Sequence, residues 1–207
     1  MSEIILDISP NTHKNSIKYL KQMIDEVAKI DSKKHEVIFK HQLFLKAPPN
    51  LPLDRLVFSK AYEYAKSKGY KTTASVFDLD SLNFLMQYSV PFIKISCNPK
   101  YYWLMEEIPR KYKVYCSVNN WDYTSTMMYA IRMACVPEYP AKKEKYKEIF
   151  GDMPLCGAIS DHTVGFDLWH EYKPEIYECH YVLHKNKADN PDSGDFAVTP
   201  DELRQIL

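Results

Sequence analysis

Two lysines interrupt stretches of the sequence that are otherwise apolar. Lys40 closes the run EVIF, and Lys94 lies inside FIKIS. A lysine within an apolar strand usually requires a paired charge or an anionic ligand. For a single lysine, a structural ion pair or a side chain that reaches solvent explains the position equally well. Two such lysines on different strands favour the binding of an anionic small molecule, such as a phosphate or a carboxylate.

A carboxylate and two histidines occupy similar positions near the C-terminus. Glu178 and His180 both lie in the segment IYECHY, and His162 follows the segment GAISD. Histidines from neighbouring strands suit a borderline divalent metal that keeps open positions for water or substrate. A lone histidine is more often a hydrogen-bonded structural residue, and we give that interpretation to His13, His35, His41, His170 and His184.

The five cysteines mark a recurring structural unit. None of them has CxxC spacing, and each lies in or at the end of an apolar segment: FIKISC, VYCSV, MACV, PLCGAIS and YECHYVL. This placement predicts reduced core thiols, not disulfides or a zinc site. The segments EIILDIS, HEVIFKHQ and YKTTASV extend the series towards the N-terminus, and all are rich in β-branched or aromatic residues. The sequence therefore contains eight candidate strands.

Helical patterns separate these strands, most clearly over residues 15–30, 54–68 and 78–88. Alternating strands and helices predict an α/β fold with parallel strands, and eight units would close into a (β/α)₈ TIM barrel. Such barrels usually have roughly 250 residues and rarely fewer than about 200, so a chain of 207 residues predicts a compact barrel with shortened helices. The link between Val118 and Tyr129 is too short for a normal helix. We expect residues 1–207 to form a single domain whose active site lies at the C-terminal ends of the strands.

The balance of charge excludes some classes of partner. Lys plus Arg and Asp plus Glu both total 27, so no net field favours nucleic acid or a membrane surface. The N-terminal segment MSEIILDISPN fails as a signal peptide, and no apolar stretch approaches bilayer length. These features predict a cytoplasmic protein.

The order of several motifs makes the sequence recognisable. ISDHT, YECHYVLHK, DNPD and FAVTPDEL occur in the C-terminal third, and SIKYLKQMIDEVAK, VIFKHQ, SVFDLDSLNFL, VPFIKIS and CVPEYPA precede them. In this order they resemble the barrel domain of the sialic acid (N-acetylneuraminate) synthases over nearly the whole chain. That family condenses phosphoenolpyruvate with an N-acylated hexosamine.

The resemblance implies roles for individual residues. Lys40 and Lys94 would hold the phosphate and carboxylate of phosphoenolpyruvate, and Asp7 or Glu178 would transfer the proton. It also implies a divalent metal, Mn²⁺ or Mg²⁺, and a homodimer. The metal would be held by His162 and His180, and the other substrate-binding positions would be Gln42, Ser75, Ser117, Tyr139, Ser160 and Asp192.

Several positions depart from the family pattern. Asp7 replaces a glutamate, Pro137 stands where a hydrogen-bonding Asn or Ser is usual, and Cys97 stands where a phosphate-contacting Ser is expected, unless Ser96 takes its place. We also expect the family's C-terminal antifreeze-like domain to be absent. The leading hypothesis is a phosphoenolpyruvate-dependent synthase of a sialic or related nonulosonic acid. The alternatives are a catalytically degenerate barrel that binds a sugar or phosphate or serves as an accessory subunit in carbohydrate biosynthesis, and a barrel for another aldol or lyase reaction.

Overall fold

Eight parallel strands form a closed barrel in which each strand pairs with the next in chain order and β1 pairs with β8. The computed structural model describes residues 1–8, 16–43, 52–120, 129–151, 157–186 and 192–207. The closed barrel of eight strands confirms the predicted (β/α)₈ fold. The strands are β1 Glu3–Asp7, β2 Glu36–Gln42, β3 Lys71–Ser75, β4 Ile93–Ile95, β5 Val114–Val118, β6 Ile131–Cys135, β7 Ala158–Asp161 and β8 Ile176–His180.

The helices around the barrel become short after the first two, as the chain length predicts. A 3₁₀ turn at Pro99–Tyr101 precedes α4. None of the helices in the described part of the chain is long and apolar enough to cross a membrane. The helices are α1 Ile17–Ile30, α2 Arg55–Ser67, α3 Leu79–Leu85, α4 Leu104–Glu107, α5 Lys143–Phe150, α6 Asp167–Tyr172 and α7 Pro200–Leu203.

Local sequence explains where the helices begin. The side chains of Ser16 and Asp54 accept hydrogen bonds from the backbone of the first turns of α1 and α2, which satisfies N–H groups that have no partner within the helix. A capping box lies at the start of α7, with Thr199 and Glu202 as its two members. The buried face of α1, formed by Leu20, Met23, Ile24 and Val27, covers the barrel.

Alternation along the strands divides the barrel into an outer and an inner face. Outward residues such as Phe39 and Tyr177 pack beneath the helices. The inward residues near the strand starts form a separate apolar layer, in which the rings of Phe92 and Tyr115 stack with centroids 4.1 Å apart. We call this the lower layer; it consists of Ile5, Ile38, Phe92, Tyr115, Met133, Ala158 and Ile176.

The cysteine prediction holds for the residues that the structure describes. Cys116, Cys135 and Cys179 are buried, Cys97 is partly buried, and all four are free thiols. Cys156 and His13 lie outside the described residues, as does most of the short link after β5, residues 121–128.

Candidate active site

The inward side chains change from apolar to polar at the C-terminal ends of the strands. Strand alternation turns Lys40 and Gln42 inward and leaves His41 on the outer face, against Phe58. The registers pair Asp7 with Lys40, Ser75 with Lys94, and Ser160 with Glu178, which brings these residues to neighbouring levels of the barrel. We call the resulting buried cluster the polar floor; it consists of Asp7, Lys40, Ser75, Lys94, Ser117, Ser160 and Glu178.

Glu178 is the centre of the polar floor. Its Oε1 lies 3.3 Å from the Lys40 Nζ and 3.2 Å from the Lys94 Nζ. Lys40 makes a second ion pair with Asp7, at 2.8 Å. The exposed fractions are only 4% for Lys40 and 2% for Lys94. Two buried cations are therefore matched by two buried carboxylates, as burial of charge requires.

The same contacts keep Glu178, Asp7 and Lys40 ionised. Burial would raise the pKa of Glu178, but Lys40 and Lys94 outweigh it and hold that pKa well below its usual range. Burial likewise opposes ionisation of Asp7, yet Lys40 and then His180 lower the pKa of its carboxyl. Burial would lower the pKa of Lys40, but Asp7 and Glu178 raise it. The floor is thus a charged network and not a set of neutral groups.

Three serines hydrogen-bond to this network. The Lys94 ammonium donates to the Ser117 Oγ at 2.7 Å, and the Lys40 ammonium lies 3.4 Å from the Ser75 Oγ. Ser160 donates to the Glu178 Oε1 at 2.9 Å. The other oxygen of Glu178, Oε2, is buried without a hydrogen-bond partner among the described residues. That oxygen is free to accept a proton or a hydrogen bond from a ligand.

His162 and His180 stand side by side above the polar floor, with ring centres 5.3 Å apart. The Nδ1 of His162 lies 2.7 Å from the Val136 carbonyl oxygen, so that nitrogen carries the hydrogen and donates it. This tautomer leaves Nε2 with the lone pair that a metal requires. The Nδ1 of His180 lies 3.8 Å from Asp192 and 4.0 Å from Asp7, without a hydrogen-bond partner among the described residues.

These two histidines fit a divalent metal as a partial ligand set. Their nitrogen atoms are suitable ligands, and the Nδ1 of His180 is not committed to a structural hydrogen bond among the described residues. Within the described ranges, no three His, Cys, Asp or Glu side chains are arranged to hold an ion by themselves. His162 and His180 would therefore leave coordination positions for water or substrate.

Tyr139, Gln42 and Asp192 complete this side of the site. The Tyr139 ring lies 4.2 Å from the His162 ring at an interplanar angle of 33°. Gln42 donates to Asp7 at 3.1 Å and to Asp192 at 3.5 Å. All the site residues predicted from the sequence are thus brought to one face of the barrel.

A cavity of about 360 Å³ lies above the polar floor and is lined by every one of those residues. Pro137, Ser96 and Cys97 line it as well. The Cys97 thiol is directed at the Cys135 carbonyl oxygen, 3.9 Å away. The Ser96 Oγ is buried and has no hydrogen-bond partner among the described residues, so Ser96 can offer a hydroxyl donor in its place. A more open groove of about 910 Å³ between α1 and α2 is lined by Ile17 and Tyr64 together with charged side chains such as Lys21.

Sequence reasoning missed one wall of the cavity. We call it the Lys100 wall; it consists of Phe77, Asn98, Lys100 and Tyr101. These residues follow the ends of β3 and β4 in short loops, where no hydrophobic period indicates which side chains face the cavity. The only available signal was their position directly after predicted strands.

The comparisons with known proteins support the fold. No family model matches the chain, and no curated protein matches its sequence. An N-acetylneuraminic acid (sialic acid) synthetase from Leptospira borgpetersenii superposes with a TM-score of 0.69 at 21% identity, over 98% of this chain and 80% of the other. A putative spore coat polysaccharide biosynthesis protein E from Chromobacterium violaceum gives a TM-score of 0.76 at 16% identity, over 99% and 72%.

A third solved structure carries the same barrel. A truncated 3-deoxy-D-arabino-heptulosonate 7-phosphate synthase from Thermotoga maritima gives a TM-score of 0.65 at 10% identity, over 99% of this chain and 83% of the other. The fold of this chain therefore resembles the barrel of sialic acid synthases, and related barrels occur in other sugar-acid synthases.

Proposed function

We propose that this protein is a phosphoenolpyruvate-dependent synthase that condenses phosphoenolpyruvate with an N-acylated hexosamine to give a sialic or other nonulosonic acid. The observation that carries the proposal is the pair of buried lysines, Lys40 and Lys94, at the catalytic face of a barrel with this fold. The solved structures of similar fold include enzymes whose names state synthesis of sialic acid and of a sugar-acid phosphate.

The polar floor suits the phosphate and carboxylate of phosphoenolpyruvate. Lys40 and Lys94 are fixed by burial and by ion pairs, so their ammonium groups need little reorganisation when an anion arrives. The hydroxyls of Ser75 and Ser117 already lie beside the two ammonium groups. We propose that these residues, with Ser160, bind phosphoenolpyruvate.

The histidine side of the cavity suits the acceptor sugar. Tyr139, Gln42 and Asp192 offer an aromatic face, an amide and a carboxylate to hydroxyl groups. A divalent ion held by His162 and His180 would supply Lewis-acid polarisation of the aldehyde of the open-chain sugar. The two reactants would then meet between the polar floor and the histidines.

The reaction forms one carbon–carbon bond and one carbon–oxygen bond to water, and it breaks the carbon–oxygen bond to phosphate; the aldehyde oxygen takes up a proton and becomes a hydroxyl. The enol carbon of phosphoenolpyruvate attacks the aldehyde carbon, water adds to the resulting cationic carbon, and phosphate leaves by C–O cleavage. Either Asp7 or Glu178 would accept the proton of that water. The lysines that lower the pKa of each carboxyl also weaken it as a base, so this step requires the bound anion to share those lysines. Lys94 would stabilise the phosphate as it departs.

One alternative has its own support. Pro137 lines the cavity and offers no N–H donor, and the polar floor holds equal numbers of lysines and carboxylates. Both features suit a barrel that binds a sugar or a phosphate without turnover, either alone or as an accessory to an active synthase.

Phosphate release separates the two functions. Phosphoenolpyruvate is incubated with Mn²⁺ and a panel of N-acylated hexosamines, and wild type is compared with His162→Ala and Lys94→Ala. Lys113→Ala is the matched control, because Lys113 pairs with Glu3 outside the cavity. We expect release that needs sugar, metal, His162 and Lys94 but not Lys113. If the folded protein releases no phosphate with any sugar, the synthase proposal is wrong and the binding function is favoured.

A further inference from the structure

We propose that Lys100 recognises an anionic group, a phosphate or a carboxylate, carried by the acceptor sugar at a distance from its reacting carbonyl. This inference rests on the proposed function and deepens it, because it names the class of acceptor. No residue of the Lys100 wall was predicted from the sequence to take part in binding.

The first step of the argument is the balance of charge within the cavity. Lys40 and Lys94 both have carboxylate partners within 3.3 Å. Lys100 lines the same cavity, yet it has no carboxylate within ion-pair distance among the described residues. The charge of Lys100 is therefore not balanced within the protein, whereas each buried lysine already has a carboxylate beside it.

The second step is the way in which Lys100 is held. Its ammonium lies over the Tyr101 ring, 4.7 Å from the centroid, and that ring packs edge-on against Phe77 at 5.1 Å. The backbone N–H of Lys100 donates to the Asn98 side chain at 3.2 Å, which anchors the 3₁₀ turn. A cation–π contact limits the freedom of a long side chain, so the position of the ammonium is partly set before a ligand binds.

The third step is depth. The lysines of the polar floor are buried, whereas Lys100 is exposed at the mouth of the cavity. An anion on the polar floor would be held by the buried lysines, so Lys100 would contact the second ligand, which binds above that anion. If that ligand is the acceptor, the group that faces Lys100 should be negatively charged.

Equilibrium binding tests this inference without requiring turnover. Calorimetry compares N-acetylmannosamine, its 6-phosphate and the corresponding uronic acid, with wild type and Lys100→Met. We expect wild type to bind one of the two anionic sugars about tenfold more tightly than the neutral sugar, as a charged hydrogen bond allows. The Lys100→Met variant should lose that preference, and Lys100→Arg should keep most of it. The phosphate and the uronic acid distinguish the two anionic groups.

Lys111→Met is the matched control. Lys111 is also exposed and lies over a tyrosine ring, Tyr112, at 5.1 Å, but it does not line the cavity. The Lys111→Met variant should keep the full preference for the anionic sugar. Failure of wild type to bind either anionic sugar more tightly than the neutral one, or an equal preference in Lys100→Met, would overturn the inference. So would a Lys100→Met variant that weakens only phosphoenolpyruvate binding.

The outcome for the proposed function is read separately, from phosphate release. A protein that prefers the anionic sugar through Lys100 but releases no phosphate from phosphoenolpyruvate would support the inference on binding and refute the synthase proposal. A synthase that turns over neutral and anionic sugars alike would support the synthase proposal and refute the inference on Lys100.

Discussion

Replacing Glu178 by glutamine should destabilise the free protein and make its stability depend on a bound anion. The Oε1 of Glu178 accepts contacts from Lys40, Lys94 and Ser160 at 2.9–3.3 Å. Lys40 would retain Asp7 as a partner at 2.8 Å. Lys94 would retain no carboxylate among the described residues, so Glu178→Gln leaves a buried cation uncompensated.

The size of the effect follows from that buried cation. Removing one partner of a buried ion pair costs about 3–5 kcal/mol. For a protein of this length, 1 kcal/mol corresponds to roughly 2–4 °C in Tm, so Tm should fall by roughly 6–20 °C. An anion on the polar floor would replace the lost charge. Inorganic phosphate at about 100 times its Kd would restore about 2.7 kcal/mol, and its Kd should be lower in the variant than in wild type.

Thermal unfolding with and without inorganic phosphate measures both effects. Glu138→Gln is the control, because Glu138 pairs with Lys145 at the exposed surface, where loss of an ion pair changes stability by about 0.2–1 kcal/mol. If Glu178→Gln unfolds at the wild-type temperature, and phosphate stabilises both proteins equally, the charge of Glu178 does not hold the lysines and the interpretation of the polar floor is wrong.

Two further predictions concern groups on the outer face of the barrel. Burial lowers the pKa of His41 from 6.5 to about 4. Between pH 4 and pH 6.5, His41 is therefore protonated in the unfolded chain but neutral in the folded protein. The free energy of unfolding should therefore rise by at most about 3 kcal/mol as the pH rises from about 4 to about 6.5. Urea unfolding across that range should show the rise, and His41→Phe should flatten it. An equal slope in the variant would exclude His41 as the cause. Tyr177→Phe removes the hydroxyl that donates to Asp161 at 2.7 Å and should cost about 1–3 kcal/mol in urea unfolding. Ligand binding in the cavity should not change, and a variant that unfolds like wild type but binds ligands poorly would contradict this assignment.

The strands could be predicted because their sequence signal is local. The apolar segments around the cysteines match strands β4 to β8. Within β2, side-chain alternation places Lys40 inward and His41 outward. Closure of eight such units then places every strand end on one face. The common face for Lys40, Lys94 and Glu178 could therefore be predicted without coordinates.

The contacts within that face could not be predicted in the same way. Two lysines share the Glu178 Oε1 because the stagger between strands pairs Ser160 with Glu178 and Ser75 with Lys94. This stagger cannot be inferred from a single sequence. The Lys100 wall depends on loop conformation, for which the residues have no periodic pattern.

The lower layer of the barrel has a kinetic consequence. The stacked rings of Phe92 and Tyr115, with the apolar side chains around them, fill the barrel interior beneath the polar floor. A ligand bound on the polar floor is therefore expected to enter and leave through the mouth at the C-terminal face. A second ligand seated above it would block that path, so the two substrates of the proposed synthase should add in a compulsory order, with the ligand of the floor first. Initial-rate and product-inhibition patterns should show a sequential ordered mechanism, in which the second ligand blocks dissociation of the first.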